Sequence, residues 1–188
     1  MKVLAIPEDQ EVDQYIVKPV LEALFDDLGV KARVSVLPEP RLRGSSQALD
    51  PEMIRSIVDD NPMEDLFVLL VDRDCNRERN VERALARQAE HSERLITCIA
   101  IQEIEVWMLA LHTEHLDARW NEIRAHCDPK EAWADPLLAK IGGDSLGRGR
   151  KRAMRSLAGN WRSLKSRCQE LQELQEAIGR FVAARQGG

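Results

Sequence analysis

Two aspartates, Asp72 and Asp74, stand one residue apart in the stretch LFVLLVDRDCN and directly follow six apolar residues. The apolar run predicts a buried strand, and residues two apart in a strand point to the same side of the sheet. Two carboxylates placed in this way repel each other and lose hydration, which costs free energy unless a cation compensates them. Carboxylate oxygens around an open site suit Mg²⁺ or Mn²⁺, whose remaining ligands are water and phosphate oxygens. The pair therefore predicts a divalent-metal site.

Acidic residues also follow two other apolar segments of the chain. Glu8 comes after the first segment, and Glu103 and Glu105 come shortly after the fourth. The carboxyl ends of parallel strands meet at one edge of a sheet, and ligands bind there. We therefore expect these three glutamates to lie near the aspartate pair. Each of these acids alone could also be a residue at a helix N-terminus. Only the acids at all three strand ends together predict the site.

The elements that must position these acids alternate between strands and helices. Apolar segments predict strands at residues 2–6, 31–37, 66–72 and 94–101. Helical periodicity, with Asp50 and Pro51 as a well-formed helix start, predicts helices at 12–28, 50–60 and 77–91 and from residue 103 onward. This order predicts an α/β fold with a four-stranded, parallel, Rossmann-like sheet and helices on both faces.

The acids at the strand ends carry a resemblance to a known domain. A Glu after the first strand and an Asp-x-Asp after a later one resemble the TOPRIM domain of primases, topoisomerases and overcoming-lysogenization-defect nucleases. The stretch AIQEIEVWMLA is similar to the E-x-E-x-W segment of an uncharacterised bacterial TOPRIM-like family that is often found among defence genes. The resemblance covers roughly residues 1–135 and implies a TOPRIM-type sheet.

The resemblance also implies an activity, namely a metal-dependent phosphodiester hydrolase that acts as a nuclease in bacterial (phage) defence. Glu8 would be the general acid or base, and Asp72 and Asp74 would hold Mg²⁺ or Mn²⁺. Glu105, and Glu103 if it precedes the helix, would complete a second metal position. Members of the family often have Gly after the first Glu, where this chain has Asp9. This departure puts the close approach of backbone to phosphate, and hence catalysis, in question.

The C-terminal part of the chain differs from the rest in charge and pattern. Residues 1–120 carry a net charge of −10 and residues 121–188 carry +5. We expect an α/β domain at 1–118 and a basic helical extension at 119–188 that packs on it and ends in one long helix from Trp161. A cationic run in this extension predicts a phosphate clamp for nucleic acid, with an exposed helix start paired to acidic groups as the alternative. It comprises Arg148, Arg150, Lys151, Arg152 and Arg155.

Other patterns limit the classes of function. There is no P-loop motif, no apolar run long enough to span a membrane and no signal-peptide pattern at the start, so we expect a cytoplasmic protein. His112 and His115, considered with His126 and Cys127, fit no familiar zinc pattern.

We expect nucleic acid as the partner, with DNA ahead of RNA. A partner protein such as an ATPase is a further candidate. The alternatives are a non-catalytic module that binds nucleic acid or a partner through a degenerate TOPRIM site, and a phosphatase or transferase for small nucleotides.

Overall fold

A computed structural model describes residues 1–73, 77–142 and 147–186. Four parallel strands form one sheet in the order β2-β1-β3-β4. Their bounds are β1 Lys2–Pro7, β2 Arg33–Val36, β3 Leu66–Asp72 and β4 Leu95–Ala100. The predicted α/β class and the all-parallel, Rossmann-like sheet are confirmed, whereas Asp74 of the predicted metal pair lies outside the described residues.

Both faces of the sheet are buried, which explains why its apolar strands show little alternation. Val3 and Ala5 point into one hydrophobic core, and Leu4 and Ile6 point into a second core on the other face. The central strands β1 and β3 therefore need apolar residues at successive positions, as strands of parallel sheets covered on both faces generally do.

Helices cover both faces of this sheet. In the first part of the chain they are α1 Gln10–Asp27, α2 Ser45–Ala48, α3 Pro51–Asp60, α4 Arg77–Glu90 and α5 Glu105–Ala110. Asp50 caps α3 as predicted, because its Oδ1 accepts the Met53 N–H at 2.9 Å. Within the described ranges, no helix combines the length and apolar character needed to cross a membrane.

The C-terminal extension shares the core of one sheet face. Its helices are α6 Trp120–Ala125, α7 Asp135–Ile141, α8 Arg150–Ala153, α9 Leu157–Arg167 and α10 Gln169–Gln186. Apolar side chains of α9 and α10 pack in the same core as Val3 and Ala5. The buried Glu170 carboxylate accepts the Trp107 indole N–H at 2.9 Å and two N–H bonds from Arg124 at 2.7 Å. These bonds hold the extension against α5.

The prediction of one continuous terminal helix from Trp161 is wrong. The chain breaks at Cys168, whose backbone is extended (φ −121°, ψ 90°). Cys168 is fully buried, and the change of direction brings Glu170 inward to Trp107 and Arg124. No Gly or Pro marks this position, so tertiary packing and not local propensity ends α9.

Gly147 lies at a close contact between the extension and α1. Its φ is +66°, and an added Cβ would lie 2.2 Å from Cδ2 of the Tyr15 ring. We expect Gly147→Ala to lower the free energy of unfolding by about 1–3 kcal/mol, because both the backbone angle and the ring must give way. Urea unfolding measures this difference.

The matched control for Gly147 is Gly159→Ala in α9, where an added Cβ meets nothing within 4 Å. This change is expected to leave the free energy of unfolding unchanged or to raise it by up to about 1 kcal/mol, because Ala is the better helix former. Equal unfolding midpoints for the two variants would show that the Gly147–Tyr15 contact adds nothing to stability.

Candidate functional site

The strand order reverses between β1 and β3, the position at which open parallel sheets form a crevice. The chain passes from β1 to β2 on one side of β1 and later returns to β3 on its other side. The connections therefore lie on opposite faces, with α1 against the core of Val3 and α3 against the core of Leu4. Ligands of open parallel sheets bind at this point of reversal, beyond the carboxyl ends of the strands.

Glu8 and Asp72 meet at this crevice, as the sequence predicts. Glu8 directly follows β1 and is buried, and Asp72 is the last residue of β3. Oε1 of Glu8 accepts the backbone N–H of Asp72 at 3.0 Å, and Oδ1 of Asp72 accepts the backbone N–H of Ile104 at 2.9 Å. These two bonds tie the ends of β1 and β3 to the segment that leads into α5.

Asp13 is a member of the site that sequence reasoning missed. It lies in the first turn of α1, it is buried, and its Oδ2 accepts the Asp9 backbone N–H at 3.2 Å. An acid in a first helical turn is ordinarily read as a favourable partner of the helix dipole. A signal was nevertheless available, because Asp13 has the helical spacing of the buried residues Ile16, Val17 and Val20.

Asp9 occupies, without backbone strain, the position at which members of the TOPRIM-like family often have glycine. Its φ of −129° and ψ of 99° are extended, and its Oδ1 caps α1 by accepting the Glu11 N–H at 2.9 Å. A glycine is therefore not required here for its backbone freedom. The Asp9 N–H donates to Asp13, so this amide already has an acceptor inside the protein.

Glu105 also reaches the site, where it is compensated by cations. It is 2% exposed, and its Oε1 accepts an N–H from Arg150 at 2.5 Å and lies 3.6 Å from Nζ of Lys130. Glu105 interacts electrostatically with Asp13 and Asp72. Lys130 is the second group that the sequence analysis did not find.

Arg150 therefore differs from its predicted role as a surface contact for nucleic acid. It is 2% exposed and faces Glu105, and its buried Nε has no hydrogen-bond partner among the residues that the structure describes. The preceding Gly149 is buried in a left-handed conformation (φ 91°) and starts α8 below the surface. A guanidinium in this position is an internal counter-ion.

Glu103 joins the site because it precedes α5 instead of lying within it. Its Oε2 accepts the Lys130 backbone N–H at 2.8 Å. The residue before it, Gln102, is buried with a φ of 70°, a conformation that non-glycine residues seldom adopt. The chain thus turns sharply after β4, and both Glu103 and Glu105 point to the same region.

We call Glu8, Asp13, Asp72, Glu103 and Glu105 the acidic cluster. Loss of hydration, followed by repulsion from Glu105 and Asp9, raises the pKa of Asp13 to about 8. Loss of hydration and the charges of Glu8, Asp13 and Glu105 hold the pKa of Asp72 well above its usual range. The pKa of Glu103 rises to about 7, mainly through burial. Five ionised carboxylates would exceed the two positive charges of Arg150 and Lys130, so protons held on the acids with raised pKa values, or a bound cation, must balance the remainder.

These pKa shifts predict how stability depends on pH without metal. An acid whose pKa is higher in the folded state than in the unfolded state lowers the stability of the fold as pH rises from the unfolded-state pKa to the folded-state pKa. For Asp13 the interval runs from about 4 to 8, and for Glu103 from about 4.5 to 7. Asp27, whose pKa is lowered to about 2 by Lys165, stays ionised and adds no slope.

We therefore expect the melting temperature in EDTA to fall between pH 5 and pH 8. Scanning calorimetry of the wild type and of Asp13→Asn measures the effect, and the variant is expected to lose less stability over this range. A melting temperature that rises from pH 5 to pH 8 would contradict the proposed repulsion.

The other members of the cationic run lie at the surface. Arg148, Lys151, Arg152 and Arg155 are exposed, and none of them forms an ion pair with an acidic group in the part of the chain that the structure describes. Within the described ranges, the alternative of a helix start paired with acidic groups thus applies to Arg150 alone.

The site has to be interpreted from its own chemistry. No family model, curated protein or solved structure matches this chain. Fold and site define a parallel α/β protein with a buried to half-buried acidic cluster at the point where the strand order reverses, and exposed cations lie next to Arg150 in the chain.

Proposed function

We propose that the protein is a divalent-metal-dependent phosphodiester hydrolase, a nuclease of the TOPRIM type. The observation that carries this proposal is the convergence of Glu8, Asp13 and Asp72 at the crevice, with the pKa values of both aspartates raised by burial and mutual repulsion. Perturbed acids in a cleft at the edge of a parallel sheet are characteristic of functional sites. A divalent cation would relieve the repulsion that the protein leaves uncompensated.

The donor set fits the metals expected from the sequence. Carboxylate oxygens are the ligands that Mg²⁺ and Mn²⁺ prefer, and Asp72 and Asp13 would hold the ion, with Asp74 as a further ligand implied by the resemblance. When bound, the ion would polarise the phosphodiester and stabilise the leaving oxygen. Glu8 would accept the proton of the attacking water, and its bond to the Asp72 N–H fixes the orientation of its carboxylate.

Glu105 and Glu103 were expected to complete a second metal position. Glu105 already accepts from Arg150 and lies beside Lys130, and Glu103 accepts the Lys130 backbone N–H. These contacts favour a site for a single ion in which Glu105 positions the two cations. Arg150 and Lys130 would then lie close to the phosphate that the site holds.

The exposed cations favour nucleic acid as the substrate. Arg148, Lys151, Arg152 and Arg155 lie within a few residues of the turn at Gly149 that brings Arg150 to Glu105. Exposed Lys and Arg side chains are suited to the phosphates of a nucleic-acid backbone, and such contacts give affinity without sequence specificity. DNA is the first substrate to test. Bacterial defence, with a partner such as an ATPase, belongs to the same proposal and rests on the resemblance alone.

The proposal is tested by incubating the protein with single- and double-stranded DNA and RNA in Mn²⁺, Mg²⁺ or EDTA. We expect cleavage that depends on the metal and falls at least about 100-fold in Glu8→Gln. The matched control is Glu11→Gln, which changes an exposed glutamate on the same segment and should keep full activity. Cleavage that survives EDTA, or that Glu8→Gln leaves intact, would contradict the proposal.

Nucleic-acid affinity should depend on the exposed cations and on salt. We expect Lys151→Glu with Arg152→Glu to weaken binding of double-stranded DNA and to reduce the slope of log K against log salt by about 2, since each phosphate contact contributes about 0.9. Arg55→Glu with Arg180→Glu, two exposed arginines elsewhere, is the charge-matched control. Equal salt slopes in the two double variants would contradict the prediction of a phosphate clamp.

A second candidate function is a non-catalytic module that binds nucleic acid or a partner. It is favoured by one observation, namely that Arg150 and Lys130 neutralise Glu105 with groups of the protein itself. In this case Mn²⁺ would raise the melting temperature without producing cleavage. The cleavage assay in Mn²⁺, Mg²⁺ or EDTA distinguishes the two candidate functions.

A further inference from the structure

Two histidines and a glutamate meet in a second polar cluster, on a turn that follows α5. His112, Glu114 and His115 each offer a ligand atom, and these atoms all lie within 4.8 Å of one another. Glu114 and His115 are exposed, and the turn spans Thr113–His115. The sequence suggests His126 and Cys127 as companions of these histidines instead, but the His126 side chain packs edge-on against Trp133.

The tautomer of His112 is fixed by a contact with the extension. Its Nε2 lies 2.9 Å from the carbonyl oxygen of Ala153. A carbonyl only accepts hydrogen bonds, so Nε2 carries the proton and the lone pair of the neutral ring is on Nδ1. Metal-binding histidines are commonly oriented in this way, with one nitrogen donating to a carbonyl and the other available to the ion.

The distances suit a small tetrahedral ion. Nε2 of His115 lies 3.5 Å from Oε1 of Glu114. Two ligand atoms that are each about 2.0–2.1 Å from a tetrahedral ion are separated by about 3.4 Å. Because Glu114 and His115 are exposed, their side chains can close the remaining gap to His112 without disturbing the core.

We propose that His112, Glu114 and His115 bind a divalent transition-metal ion of the zinc class, independently of the acidic cluster. Two imidazoles and one carboxylate select Zn²⁺, Co²⁺ or Ni²⁺ over Mg²⁺, which prefers oxygen ligands alone. A fourth position stays open to water. Since His112 also contacts Ala153, the ion braces the end of α5 against α8, the helices that carry Glu105 and Arg150.

The test is a calorimetric titration of the tag-free full chain with Zn²⁺, after EDTA treatment and dialysis, in millimolar Mg²⁺ that competes at the acidic cluster. We expect one site whose affinity falls about 10-fold or more in His115→Ala. Glu114→Gln should also weaken it, whereas His91→Ala, which removes a half-buried histidine outside this cluster, should not. His115 is exposed, so its replacement leaves the fold intact.

The acidic cluster is distinguished by its own variant. Zinc binding is expected to persist unchanged in Asp72→Asn, so a failure of the proposed nuclease site leaves this result untouched. Affinity that is equal in the wild type and His115→Ala would show an adventitious ion elsewhere and overturn the proposal. Zinc binding that Asp72→Asn abolishes would place the ion at the acidic cluster and overturn it as well.

Discussion

Asp72→Asn is expected to abolish metal-dependent cleavage, by a factor of about 100 or more, while the protein stays folded. The Asn side chain keeps an Oδ1 that can accept the Ile104 N–H, so the bond that positions the end of β3 survives. The change removes the negative charge that a cation requires and the repulsion from Glu8, Asp13 and Glu105. Initial cleavage rates in Mn²⁺, together with unfolding curves in EDTA, measure both consequences.

Asp59→Asn is the matched control for Asp72, because it neutralises an exposed aspartate on α3 away from the crevice. It should change neither the rate nor the unfolding curve. In EDTA, Asp72→Asn should be at least as stable as the wild type at pH 8. Full cleavage by this variant, or a loss of folding in place of a loss of activity, would contradict the role given to Asp72.

Arg150→Met is expected to lower the free energy of unfolding by about 3–5 kcal/mol. Of the described residues, the change leaves only Lys130, at 3.6 Å and half-exposed, as a cation beside the buried Glu105 carboxylate, and removing one partner of a buried ion pair costs this amount. Arg152→Met, which changes an exposed arginine two residues away, should shift it by no more than about 0.5 kcal/mol. Urea unfolding in EDTA gives both values without a contribution from bound metal.

Glu105→Gln should rescue part of the stability lost in Arg150→Met, because it removes the buried charge that the first change leaves unpaired. The double-variant cycle therefore measures the coupling of the pair directly. Similar losses for Arg150→Met and Arg152→Met would show that Arg150 acts as another surface cation, and the inward position of Glu105 would then need another explanation.

The part of the fold that sequence predicts is the part that local pattern determines. The runs that form β1 and β3 are apolar at successive positions because both faces of the sheet are covered, and this pattern is visible without a structure. The position of Glu8 and Asp72 follows from it, since parallel strands place their carboxyl ends at one edge. Asp74, predicted with the same reasoning, stays a prediction.

The remaining members of the site depend on long-range packing. Lys130 and Arg150 come from the extension, and they meet Glu105 only because that extension folds back onto the sheet. Nothing in a run of basic residues distinguishes the one that turns inward. The break at Cys168 has the same origin, because burial and the bonds of Glu170 outweigh a sequence that would continue the helix.

The most direct test of the acidic cluster as a metal site is a calorimetric titration with Mn²⁺ and Mg²⁺, carried out on the wild type and on Asp72→Asn. Both proteins carry His115→Ala in this titration, so that binding at the histidine cluster does not contribute to the measured heat. We expect the protein with Asp72 intact to bind the ion and the Asp72→Asn variant to lose this binding. Equal binding by the two proteins would contradict it, and no binding to either one would favour the non-catalytic module.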